Sequence, residues 1–142
     1  MSRFAAEVVE EALARVRTAC LGLPETSERL SHGGPAFFIR TSGFSGVHGG
    51  RPPSARNTSC FVMFLDDHHG DGHLAIWCAA PEGVQAEMVE TEPERFFRPP
   101  YVGHRGWLGV ELTEVSDAEL AAICREAFRT VAPPTVRRLL DS

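Results

Sequence analysis

The strongest constraint on this chain is a pair of short runs, 60–65 and 74–78, each dense in aromatic and branched residues. Cys60-Phe61-Val62-Met63-Phe64-Leu65 and Leu74-Ala75-Ile76-Trp77-Cys78 have the length and composition of strands. Between them lies Asp66-Asp67-His68-His69-Gly70-Asp71-Gly72-His73, whose polar and glycine content marks a hairpin connection. Two neighbouring antiparallel strands follow, and the remaining elements must be arranged around them.

Upstream, Val8, Val9, Ala12, Leu13, Val16 and Cys20 recur at three- and four-residue steps, which predicts a helix over 4–21 with one buried stripe. Gly22 and Pro24 stop it, and 23–28 reads as a turn and connector. Ala36-Phe37-Phe38-Ile39-Arg40 reads as a strand. The segment 41–59, rich in Gly, Ser, Pro and Arg, reads as a long flexible loop insertion.

Pro81 suits a first helical turn, so a short second helix is expected to run to about Glu92. Two extended segments follow at 97–102 and 107–112, with Pro99-Pro100 making the first irregular or an edge. Ser116 and Glu119 have the spacing of a capping box ahead of a stripe of Leu120, Ile123, Cys124, Ala127 and Val131. Pro133-Pro134 ends that helix, and 136–140 adds one last turn. The expected fold class is α+β: a two-layer α/β sandwich in the order α-β3-α-β2-α, its antiparallel sheet covered by helices on one face. The length, 142 residues, suits a single domain spanning 1–142.

The 14 basic and 19 acidic residues leave a net charge of −5, which argues against avid, nonspecific binding to a polyanion unless a local basic patch exists. Every basic residue is arginine, a planar fork suited to phosphates, carboxylates and aromatic faces. The charged amphipathic start and the lack of a spanning-length apolar run point to a cytoplasmic protein with no membrane partner. Cys20, Cys60, Cys78 and Cys124 stand singly, the pattern of reduced buried thiols rather than of a disulfide framework or a zinc site.

Several segments together resemble the MmcQ/YjbR family: Leu23-Pro24-Glu25-Thr26, then His32-Gly33-Gly34-Pro35-Ala36-Phe37, then Glu94-Arg95-Phe96-Phe97-Arg98-Pro99-Pro100-Tyr101-Val102-Gly103. Trp107-Leu108-Gly109-Val110 and Ala132-Pro133 extend the resemblance over nearly the whole chain. It implies a two-layer domain of the kind compared with secretion chaperones and the frataxin-like fold, and a DNA-binding label that comes from a double-wing arrangement of strands. Fold alone does not fix function. The chain departs from the family pattern where a lysine often follows the strand of Phe37; here the arginine-bearing 41–59 segment stands instead.

Arg95, Arg98, His104 and Arg105 alternate with Phe96, Phe97, Tyr101 and Trp107, a mixture suited to phosphates and bases but equally to hairpin packing under arginine stems. With Arg40, Arg51 and Arg56 they form the expected DNA surface. The alternative is a non-nucleic-acid module in which Tyr101, His104 and Trp107 line a concave site and an arginine holds a small anionic ligand or a peptide. The Asp/His turn at 66–73 has the residue types of a metal site, but a solvated polar turn is its default reading. No nucleophile, base and oxyanion constellation and no phosphate loop is recognisable, so neither catalysis nor a cofactor is expected, and the protein is expected to be a monomer or small homo-oligomer.

Overall fold

The computed structural model describes residues 2–42 and 56–141. Helix α1 (Ala6–Leu21) leads into strands β1 (Thr26–Ser31), β2 (Gly34–Arg40), β3 (Thr58–Asp66) and β4 (Leu74–Cys78). Helix α2 (Val84–Thr91), strands β5 (Phe96–Phe97) and β6 (Leu108–Glu111), and helices α3 (Asp117–Val131) and α4 (Pro134–Asp141) complete the chain. The six strands form one sheet, ordered β1-β2-β3-β4-β6-β5, and every pairing is antiparallel. The α+β class and the antiparallel sheet are as expected.

Strand alternation sorts the side chains into two faces. Val62, Phe64, Ile76, Cys78, Leu108 and Val110 share the face beneath α1 and α3, and all are buried. A register shift at Phe37/Phe38 pairs Phe37 with Val62 but Phe38 with Cys60, leaving Phe61 as the extra residue of a bulge. Phe61 and Val62 can then both face the helices, and Phe61 meets Phe128 of α3 edge-on, with centroids 6.0 Å apart at 85°. Cys20 of α1 and Cys124 of α3 touch with sulfurs 3.8 Å apart, next to Cys78 of β4. Burial raises the Cys20 and Cys78 thiols far above their ordinary range, so the cluster behaves as neutral, buried hydrophobes.

Four expectations need correction. The connector at 23–28 instead enters β1, giving six strands rather than five. No apolar run betrays this edge strand, because its inner residues are polar and meet polar partners. Thr26 donates to the Cys20 and Leu23 carbonyls, and Glu28 pairs with Arg17 of α1 at 2.8 Å. Most of the expected 41–59 loop lies outside the described residues, but Thr58 and Ser59 belong to β3, paired with Arg40 and Ile39. The extended segment at 97–102 is cut to Phe96–Phe97 by the prolines, and α4 runs for 8 residues rather than one turn.

The capping box of α3 is formed. Ser116 Oγ accepts from the Glu119 amide at 3.1 Å, and the Glu119 carboxylate accepts from the Ser116 amide at 2.9 Å. Arg95 also donates to Glu119, and these contacts hold the Glu119 carboxyl down from 4.5 to about 2, the Ser116 amide being the largest cause. The group is depressed on folding, so its contribution is present above its unfolded value and is lost as pH falls through the folded one. The stability gap between the wild type and Glu119→Gln is therefore expected to close between pH 4.5 and about 2. Urea midpoints across that range would read it, and a gap independent of pH would remove the charge from the cap.

Candidate functional site

On the sheet face opposite α1 and α3, register places Arg29, Phe38, Cys60, Met63, Trp77, Gly109 and Phe97. Three zones divide this face. Over the β6 zone, the Phe97 ring lies on Gly109, where a Cβ would stand 2.5 Å from Phe97 Cε2. His73 stacks on Phe97 at 4.0 Å and 9°, and its Nδ1 bonds the Glu111 carboxylate. Burial raises the Glu111 carboxyl while His73 pulls it back.

The 66–73 turn is a structural clasp. Asp67 accepts from the Gly72 amide at 2.8 Å and pairs with Arg3 at 3.2 Å, while Ser2 bonds Asp66, so the turn ties down the N-terminal segment. The Gly72 amide, then Arg3, hold the Asp67 carboxyl below its usual range. Among the described residues no three His, Cys, Asp or Glu side chains are grouped to hold a metal ion.

A cavity of about 560 Å³ opens where β2 begins and β3 ends. Met63 and Leu65 of β3 and Trp77 of β4 contribute to its walls, together with Pro35, His68 and Tyr101. His68 stands edge-on to Trp77 at 5.1 Å and 81° and to Tyr101 at 6.1 Å and 90°. Tyr101 reaches Trp77 at 6.4 Å and 46°, closing a three-ring cluster. Two buried nitrogens in that cluster, Trp77 Nε1 and His68 Nε2, have no hydrogen-bond partner among the described residues. An indole N–H buried in a fold ordinarily finds an acceptor, so its isolation at a cavity wall marks a place for one.

The cavity rim is also conformationally costly. His32, His69 and Tyr101 all line it with left-handed backbones, at φ 52°, 50° and 63°. Each non-glycine residue there stores roughly 1–3 kcal/mol, and such residues cluster at ligand clamps. Among the described residues no arginine, aspartate or glutamate lines the cavity. Its size and largely apolar walls with a few polar atoms are those of a small-molecule site.

The arginines expected to form one surface are divided. Arg95 is held by Glu92 at 2.7 Å, by Glu119 and by the Glu114 carbonyl, a network that fastens the β5 entrance to the start of α3. Arg98 is exposed, with its stem against Gly103; His104 is exposed on the 103–105 turn. Arg105 covers Trp107 at 5.0 Å, and Trp107 itself is buried, so Trp107 and His104 do not line the cavity that Tyr101 does. Arg40 ends β2 and Arg56 precedes β3, whereas Arg51 lies outside the described residues. Burial pushes the Cys60 thiol up to about 11, opposed first by backbone hydrogen bonds at Val62 and Phe37 and then by the charges of Arg105 and Arg29. Arg29 also lies over Phe38 at 3.5 Å and donates to Thr58.

Sequence reasoning found Tyr101 but missed Pro35, Met63, Leu65 and Trp77 as cavity residues. His68 and His69 read from the sequence as part of a solvated polar turn with the residue types of a metal site, not as cavity residues. The one available signal was Trp77, a residue with a polar edge in an otherwise apolar strand.

The YjbR family model matches residues 21–130. Among the curated proteins there is no match. The crystal structure of Deinococcus radiodurans protein DR2400, with a DUF419 domain, shares the fold at a TM-score of 0.64 and 13% identity, over 91% of this chain and 87% of that one. No helix among the described residues is long and apolar enough to cross a membrane.

Proposed function

The chain belongs to the YjbR family, and on that premise we propose that it is a non-catalytic binding module whose ligand site is the three-ring cavity on the helix-free sheet face. The observation that carries this reading is the pair of unpartnered buried nitrogens on two residues that wall a 560 Å³ cavity. The absence of fixed charge among its lining residues favours a small ligand that is uncharged where it enters the protein. A binding role without catalysis is supported by the protonated state of Cys60 and the burial of Cys20, Cys78 and Cys124, which leave no activated thiol. Free thiols in close contact go with a reducing, cytoplasmic setting.

A second reading, DNA binding, draws on Arg29, Arg40 and Arg105, which share the open face around Phe38 and Cys60, with Arg98 nearby on the 98–107 loop. Phosphate contacts of this kind weaken steeply with salt, whereas occupation of an uncharged cavity does not.

The two readings separate in one experiment: amide chemical-shift mapping of the purified protein against a library of small planar compounds, and against short duplex DNA at 20 and 200 mM salt. Compound-induced shifts at 63–69, Trp77 and 101–102 are expected, nearly unchanged between the two salts. Shifts produced only by DNA, abolished at high salt and lost in an Arg98→Ala, Arg105→Ala double variant, would overturn the cavity reading in favour of DNA.

A further inference from the structure

Deepening the cavity reading, on which this inference rests, we propose that the ligand is a flat aromatic or heteroaromatic ring carrying a carbonyl-type acceptor, which takes the hydrogen bond of Trp77 Nε1 and engages His68 Nε2. Three observations define this class. The walls combine edge-on rings with the apolar Met63, Leu65 and Pro35, which favours a flat apolar body over a sugar or a flexible polar chain. Trp77, 3% exposed, presents a donor that nothing in the described structure receives. Ring Nε2 of His68, beside it, donates or accepts according to its tautomer, so a carbonyl next to an N–H, as in a lactam, meets both.

Among the described residues no arginine, aspartate or glutamate lines the cavity, so a carboxylate or phosphate inserted there would lose its hydration without a fixed opposite charge to offset the loss. A carbonyl loses less and gains the indole hydrogen bond. Tyr101 touches both His68 and Trp77 yet is 69% exposed, with φ 63°. It is therefore the ring placed to turn aside as the ligand reaches the two nitrogens, and to close on the ligand face afterwards.

The probes are 2-quinolinone, which has a flat bicycle and a lactam; its ring-saturated counterpart, which keeps the lactam but not flatness; and naphthalene, which keeps flatness without an acceptor. Titration of each into the full chain, followed by amide shifts at 63–69, Trp77 and 101–102, gives three affinities. We expect 2-quinolinone to bind at least tenfold more tightly than either other probe. Trp77→Phe, which deletes the N–H together with part of the ring, should bring the ratio of 2-quinolinone to naphthalene affinity to within about twofold of one, naphthalene reporting the cost of the lost ring surface alone. His68→Phe provides the same comparison from the second nitrogen, and decides the matter if Trp77→Phe does not fold.

Equal binding of 2-quinolinone and naphthalene, or an unchanged preference in the variants, would overturn the acceptor; equal binding of the saturated probe would overturn the flat ring. In each of those results the cavity still binds, so the broader reading stands. Shifts at none of these residues with any probe would instead remove the cavity reading itself.

Discussion

Phe128→Ala is expected to destabilise the fold by about 3–5 kcal/mol, the usual cost of truncating a fully buried aromatic residue. Phe128 is 0% exposed, and its edge-on contact with Phe61 is the point where α3 meets the bulged strand β3. The bulge brings Phe61 and Val62 together under the helices, so little neighbouring material can move in to fill the space left by the ring. Urea denaturation followed by circular dichroism would measure the change in midpoint at constant slope. Tyr101→Ala, at an exposed ring, is the comparison, with an expected loss well below that of Phe128. A loss under about 1.5 kcal/mol at Phe128 would mean that the helix layer is held chiefly elsewhere.

Gly109→Val is expected to cost about 1–3 kcal/mol through overpacking. A Cβ at Gly109 meets three atoms of the Phe97 ring at 2.5 to 2.6 Å, so the ring must leave the sheet face. Its displacement also removes the stacking surface of His73, which is bonded to Glu111. The variant should therefore combine lower stability with a changed His73 ring signal in NMR spectra. Full stability with an unaltered His73 signal would show that Phe97 packs on Gly109 only loosely.

Much of the fold was legible because burial writes itself into sequence period. The stripes of α1 and α3, the apolar runs of β3 and β4, and the Ser116–Glu119 cap are local patterns, and all are present. Strand β1 was not legible, since an edge strand that meets α1 through Thr26 and Glu28 needs no apolar run. Nor was the Phe61 bulge, because a register shift depends on the partner strand as much as on the strand itself.

The site was less legible than the fold. Arginine and aromatic residues alternate around 95–107, and that local pattern drew attention to a segment whose members point to different tasks. Arg95 fastens α3, Trp107 is buried under Arg105, and of the arginine and aromatic residues there Tyr101 alone lines the cavity, beside Val102. Trp77 and His68, separated by eight residues and a left-handed turn, meet only when the β3–β4 hairpin closes, and Tyr101 joins them from beyond α2.

The sequence by itself determined the class of the fold, its antiparallel sheet and the helices that cover one face, since each follows from which residues must leave water within a single element. Only the tertiary structure decided which side chains share the other face and which buried nitrogens are left without partners. Those properties depend on strand register and on contacts between residues far apart in the chain, and no local period records them.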